Sequence, residues 1–187
     1  MIFNFKEARK KLLFFTTMEN IKDIALQVID TEADSILRLK ELLNDNFTKV
    51  VELILNSKGN VIVSGIGKSA NIAQKIVATL NSTGTTAVFM HAADAIHGDL
   101  GIIRDEDTVI IISKSGETPE IKVLTPLIKI RKNKLVAIVG NTKSFLATQA
   151  DYVLDTTVPH EACPNNLAPT ASTTAQLVMG DALAIAL

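Results

Sequence analysis

Residues 108–120 read TVIIISKSGETPE, and this stretch concentrates the side chains best suited to hold an anion. An apolar β-branched run of Val109, Ile110, Ile111 and Ile112 ends abruptly in hydroxyls and a glycine. The run is too short for a helix, and its lack of alternation fits a strand covered on both faces. Ser113, Ser115 and Thr118 then offer hydroxyl donors, and Gly116 permits a turn whose backbone N–H groups converge. A helix opening after Thr118 adds the positive end of its dipole. Together these groups suit a phosphate. No Walker lysine, metal-ligand cluster or nucleic-acid signature accompanies them, so the phosphate is expected on a small molecule.

A second loop reads Ser64-Gly65-Ile66-Gly67-Lys68-Ser69-Ala70. A Walker loop needs a glycine five positions before Gly67, where Ile62 stands. Gly65, Gly67 and Ala70 fit a dinucleotide fingerprint formally, but the acidic residue required at the end of the next strand is replaced by Met90 and His91. The glycines alone would make a tight strand-to-helix turn. Lys68 argues for more, because a cation at a helix N-terminus opposes the dipole, and a broken local rule beside a glycine loop points to an anionic ligand. His97, beside Gly98 and Asp99, is a candidate at the same sheet end, with a structural role as the alternative. Among the carboxylates, Glu117 fits a favourable first-turn acid, Glu120 lies just inside the helix behind the serine loop, and Glu161 sits in the loop 160–164. Cys163 with His160 as base lacks an oxyanion loop, so a buried structural cysteine is expected. Three scattered histidines without ligand spacing predict neither a metal nor another cofactor.

These residues need elements to carry them. Helical spacing of apolar residues covers 21–43 and 47–55, and strand-like runs occupy 61–64, 86–90, 109–113, 135–139 and 152–156. Helical or loop segments are expected over 69–81, 92–97, 119–132 and 144–150, with a last helix from about Thr170 to Leu187. Such alternation predicts right-handed βαβ crossovers: an α/β domain of three layers, with a five-stranded parallel sheet between helices. Sites in such sheets lie at the carboxyl ends of the strands, where every loop named above begins. The 19 Lys+Arg against 20 Asp+Glu argue against a nucleic-acid partner, and the single Cys163 allows no internal disulfide. No run reaches the ~20 apolar residues that cross a bilayer. The basic and apolar N-terminus, residues 1–20, reads as a leader with too short an apolar core for a signal peptide, so a cytoplasmic protein is expected. Leu177, Val178, Ala182, Leu183, Ile185 and Ala186 form an apolar seam on the last helix, and the first helix is apolar over more than one face. A homo-oligomer is expected to cover both.

Four stretches, VSGIGKS at 63–69, HGDLG at 97–101, SKSGE at 113–117 and EACPNNLAPTASTT at 161–174, resemble the SIS (sugar isomerase) domain. Within it they are most similar to the D-arabinose 5-phosphate isomerases that feed Kdo synthesis in Gram-negative bacteria. The resemblance spans 21–187. It implies a flavodoxin-like sheet, a homotetramer, and interconversion of D-ribulose 5-phosphate and D-arabinose 5-phosphate without a cofactor. It implies phosphate or substrate binding at Gly65, Gly67, Ser69, Ser113, Ser115, Gly116 and Thr118, and catalysis at Lys68, Glu120 and Glu161 with His97 as a further candidate. Departures are Lys114 for a frequent asparagine, Asp94 for glutamate, Ala171 for serine, and Asn165-Asn166 for Leu-Gly, where asparagine can supply the left-handed conformation of glycine. Members continue past the position of Leu187 into a His-Pro-Gly-Gly segment and often a CBS module. The chemistry implied is a cis-enediol(ate) route with Glu120 or Glu161, unranked, as a base whose pKa burial raises toward ~6–7, and Lys68 stabilising the oxyanion. An isomerase of hexulose or heptose phosphates, and a non-catalytic sugar-phosphate sensor, are the alternatives.

Overall fold

Five short, largely apolar runs form one parallel sheet in the computed structural model, which describes residues 20–187. The expected leader, apart from Asn20, lies outside the described residues. The strands are β1 (Val61–Gly65), β2 (Ala87–His91), β3 (Thr108–Ser113), β4 (Lys134–Val139) and β5 (Tyr152–Asp155), in the order β2-β1-β3-β4-β5. The helices are α1 (Ile21–Leu42), α2 (Asp45–Leu55), α3 (Lys68–Thr83), α4 (Ala92–Ala95), α5 (Pro119–Ile130), α6 (Phe145–Gln149) and α7 (Ala171–Ala186), with a 3-10 turn at Asp99–Ile102. The three-layer, flavodoxin-like architecture is the expected one.

Every residue of β1 and β3 is buried, which explains why neither run alternates with polar residues. One face sets Val63, Ile110, Ile112, Val136 and Ile138 against Ile76, Leu80, Met179 and Leu183 of α3 and α7. The other sets Ile62, Val109, Ile111 and Leu135 against Ile121, Leu124 and Ile128 of α5. Each such side chain contributes roughly 1.5–3 kcal/mol when removed from water. The chain leaves β1 toward β2 on one side and returns to β3 on the other, so the crevice between the loops after β1 and β3 is the topological switch point. Register sets Ser64 opposite Ile111 and Gly65 opposite Ile112, which brings the glycine loop level with the serine loop.

The final helix leaves most of the expected seam uncovered within the chain. Of the six seam residues only Leu183 is buried, and Ile185 is 75% exposed. The buried stripe instead runs through Ala171, Ala175, Met179, Gly180 and Leu183. Small residues win because α7 packs tightly on α3: a Cβ at Gly180 would overlap the Ile76 side chain. On α1, Ile21, Ile29 and Leu37 are exposed, while Ser35 and Leu39 are buried. No helix among the described residues is long and apolar enough to cross a membrane.

Candidate active site

The serine loop folds back on its own hydroxyls. Gly116 N–H donates to Ser113 Oγ at 3.0 Å, and Glu117 N–H donates to Ser115 Oγ at 3.2 Å. Each serine therefore accepts from the backbone and keeps its own proton free to donate outward. Gly116 has φ 65°, and a Cβ there would overlap Ser144, so the turn demands glycine on both grounds. Thr118 is the N-cap of α5 but makes no cap bond, and its buried hydroxyl has no partner. Hydroxyl protons and an uncapped helix N-terminus thus meet at one point, as an anion requires.

The glycine loop performs a matching task after β1. A Cβ on Gly65 would stand 2.9 Å from the Ser69 carbonyl, and Gly67 turns with φ 57° into α3. Lys68 opens that helix exposed and without an ion pair among the described residues. Ser69 donates to Gln176 Oε1 of α7 at 3.3 Å, while the buried Gln176 Nε2 lacks a partner. Turning the amide over would let Nε2 donate to Ser69 and free that serine's proton as well.

Glu161 differs from the other carboxylates. Its side chain is wholly buried, and Oε2 accepts from Thr170 N–H at 2.8 Å and Ser172 N–H at 3.1 Å. Lys114 Nζ lies 2.6 Å from Oε1. Burial opposes the charge, but the Lys114 ammonium and these donors outweigh it and hold the carboxyl at about 2. That is opposite in direction to the rise expected of a carbon base. Glu120, in the first turn of α5, is half-buried and makes no hydrogen bond or ion pair with a described residue. Glu117 is instead engaged, bridging Lys122 at 2.7 Å and the Phe145 N–H; bonding to Lys122, then to that N–H, lowers its pKa. His97 is exposed between α4 and the 3-10 turn and has no side-chain bond among the described residues. Cys163 is half-buried rather than buried, with its thiol pKa lowered by the N–H groups of Ala168, Leu167 and Asn165. Asn166 adopts φ 52°, as its place in the loop predicted, and its Oδ1 accepts the Glu161 N–H at 2.7 Å.

The loops after β1, β3 and β5 and the N-terminus of α7 thus form one cluster of hydroxyls, N–H groups, cations and carboxylates. The model of the SIS domain matches residues 53–186. The chain belongs to the SIS family. The arabinose 5-phosphate isomerase KdsD of Pseudomonas aeruginosa is 50% identical over 87% of this chain and 50% of its own. The arabinose 5-phosphate isomerase KpsF of Escherichia coli CFT073 is 52% identical over 79% of this chain and 45% of its own. The chain therefore spans about half the length of the curated relatives it matches. A protein of E. coli CFT073 solved in complex with arabinose 5-phosphate superimposes with a TM-score of 0.87 at 34% identity, covering 91% of each chain.

Within this SIS domain, three contributors escaped the sequence reading. Lys114 stood out there only as a departure, and Gln176 and Ser172 as part of a long motif. The repeated hydroxyls and amide at the start of an otherwise apolar last helix were the available signal. Among the described residues, no three His, Cys, Asp or Glu side chains gather as a metal-ligand set. A groove of about 440 Å³, lined by Lys49, Glu52, Asp105, Lys132 and Lys134, lies at the opposite end of the sheet.

Proposed function

We propose that this SIS domain isomerises D-ribulose 5-phosphate and D-arabinose 5-phosphate through a cis-enediol(ate), in a route to Kdo and lipopolysaccharide or capsule. The observation that carries the reading is a hydroxyl-lined helix N-terminus combined with a lysine and a glutamate, at the switch point, that are unpaired among the described residues. Ser113, Ser115, Thr118, Ser69 and the N–H groups around Gly65, Gly67 and Gly116 hold the phosphate. Anchored there, the sugar presents its C1–C2 end to Lys68 and Glu120.

Glu120 takes the C1 proton, leaving the electron pair shared with the C2 carbonyl as an enediolate. Its carboxylate, unbonded among the described residues, suits that task better than Glu161, whose Oε2 is hydrogen-bonded and whose Oε1 is paired with Lys114. Lys68 stabilises the charge that develops on O2. A proton moves from O1 to O2, with His97 as relay and as the group that assists ring opening, and Glu120 returns its proton to C2. The aldose results, and atoms and charge balance without a metal or redox partner. Exposed Ile21, Ile29, Leu37 and Ile185 support assembly into a homotetramer.

The test is a coupled assay for arabinose 5-phosphate formed from ribulose 5-phosphate by the protein that carries this domain. Turnover that survives chelation is expected. Turnover only with a hexulose or heptose phosphate would move the substrate, and binding without turnover of any sugar phosphate would make the domain a sensor.

A further inference from the structure

The reading above leaves one contact without a task, the pair between Lys114 and Glu161. Lys114 sits between the two serines of the phosphate loop, and Glu161 sits on the loop that joins β5 to α7. The ammonium reaches the carboxylate at 2.6 Å, although one side chain is 42% exposed and the other wholly buried. Both ends are fixed from behind. Lys114 C=O accepts the Gly140 N–H at 3.0 Å, so the end of β4 pins its backbone. Glu161 is fixed by Asn166 through its N–H, and by Thr170 and Ser172 through its carboxylate.

We propose that Lys114 is a positioning residue of this site, a clasp that ties the serine loop to the β5–α7 loop through the Glu161 carboxylate. An uncharged side chain at position 114 would have no charge to offer a buried carboxylate. The clasp has two consequences.

First, the clasp sets the charge state of Glu161. The groups that face its carboxyl are Lys114 from the serine loop, the hydroxyls and N–H groups of Thr170 and Ser172 from the start of α7, and the Cys163 thiol from its own loop. Only Lys114 brings positive charge. Without it, burial acts against two N–H groups and two hydroxyls, and the carboxyl takes up a proton at a higher pH. Second, the half-exposed ammonium belongs to the residue between the two serines whose hydroxyls await the phosphate. A bound dianion competes with Glu161 for it, and binding loosens the carboxylate at the moment the sugar arrives.

The inference rests on the isomerase reading for its consequence in turnover, but its first consequence is read without turnover. Glutamate labelled with ¹³C at the carboxyl gives a Glu161 resonance, identified by its loss in Glu161→Gln. In Lys114→Met the titration midpoint of that resonance is expected to rise by more than about one pH unit, within the range an opposite charge produces. Lys114→Arg is expected to restore it, and Lys114→Asn to behave as the methionine variant does. KM for the sugar phosphate should rise more than kcat falls, because the serine loop loses its tie to the β5–α7 loop. An unchanged midpoint in folded Lys114→Met and Lys114→Asn would overturn the clasp while leaving the isomerase reading intact. Collapse of both variants would overturn it too, making Lys114 a residue of the fold. A shifted midpoint in a protein that turns over no sugar phosphate would uphold the clasp and sink the isomerase reading.

Discussion

The two ends of the sheet use similar side chains to opposite effect. At the amino ends of the strands, Asp107 is 2% exposed and accepts N–H groups from Asn60 and Arg104, each at 2.7 Å. Asn133 donates to the carbonyls of Arg104 and Asp107, and Asp151 accepts Leu135 N–H at 2.9 Å and Lys129 at 3.0 Å. At the carboxyl ends, Ser64 Oγ, Thr118 Oγ1, Thr156 Oγ1 and Gln176 Nε2 are buried without partners. An unmade bond at a buried polar group costs about 1–3 kcal/mol. One end is satisfied internally apart from Asn133 Oδ1 and holds the strands in register. The other accepts that cost where a polar ligand can repay it. The groove at the amino end is wide, but its one buried carboxylate, Asp107, is already bonded, so size does not locate the site.

The sharpest way to break this comparison is at the open end. Glu120→Gln and Lys68→Ala should each lower turnover by roughly 10²–10⁴-fold, the scale of acid–base and oxyanion groups. Neither should alter the melting temperature, since neither side chain makes a bond among the described residues. Near-normal turnover in Glu120→Gln would hand the base role to Glu161.

Asp107→Ala is the converse experiment. It strands the Asn60 and Arg104 N–H groups, and urea denaturation should show a loss of about 1–3 kcal/mol with kcat intact. A fall in kcat at unchanged stability would show that the amino end also serves the reaction. Thr118→Val should move the two quantities the other way. It removes a buried hydroxyl with no partner, so stability should hold, while calorimetry shows sugar-phosphate binding weakened by about 1–3 kcal/mol. Equal affinity would place the phosphate elsewhere.

Features that depend on local pattern were legible in the sequence. Five short apolar runs define the strands, most clearly β1, β3 and β4, where a covered strand needs apolar residues on both faces. Ser113, Gly116 and Asn166 follow from backbone geometry a few residues away. What escaped depends on distant segments meeting. The Lys114–Glu161 and Ser69–Gln176 contacts each join separate crossover units, and no spacing rule links them. The face of α7 that the chain itself covers was not legible either, because close packing against Ile76 selected alanine and glycine there. The cation that holds the Glu161 carboxyl low was not legible, because Lys114 comes from a segment distant in sequence.

That carboxylate gives the smallest effect at working pH, and one visible only in acid. Its pKa falls from 4.5 to about 2 on folding. A carboxyl with a depressed folded pKa contributes stability that is complete above its unfolded value and lost as pH falls through the folded one. From about pH 6 to pH 8 this contribution should be flat. Below about pH 5 the urea midpoint should begin to fall, and the fall should continue toward pH 2. Glu161→Gln cannot titrate, so its curve should lack that component while other carboxyls, Asp151 among them, keep theirs; Asp151 is also lowered, burial opposing and the Leu135 N–H and Lys129 prevailing. The difference between the two curves isolates the open end of the sheet from the closed one. Parallel curves from pH 7 to pH 2 would mean that Glu161 is no more ionised in the native protein than in the unfolded chain. The carboxyl ends would then hold no prepaired charge, and the contrast between the two ends would rest on the unbonded hydroxyls and amide alone.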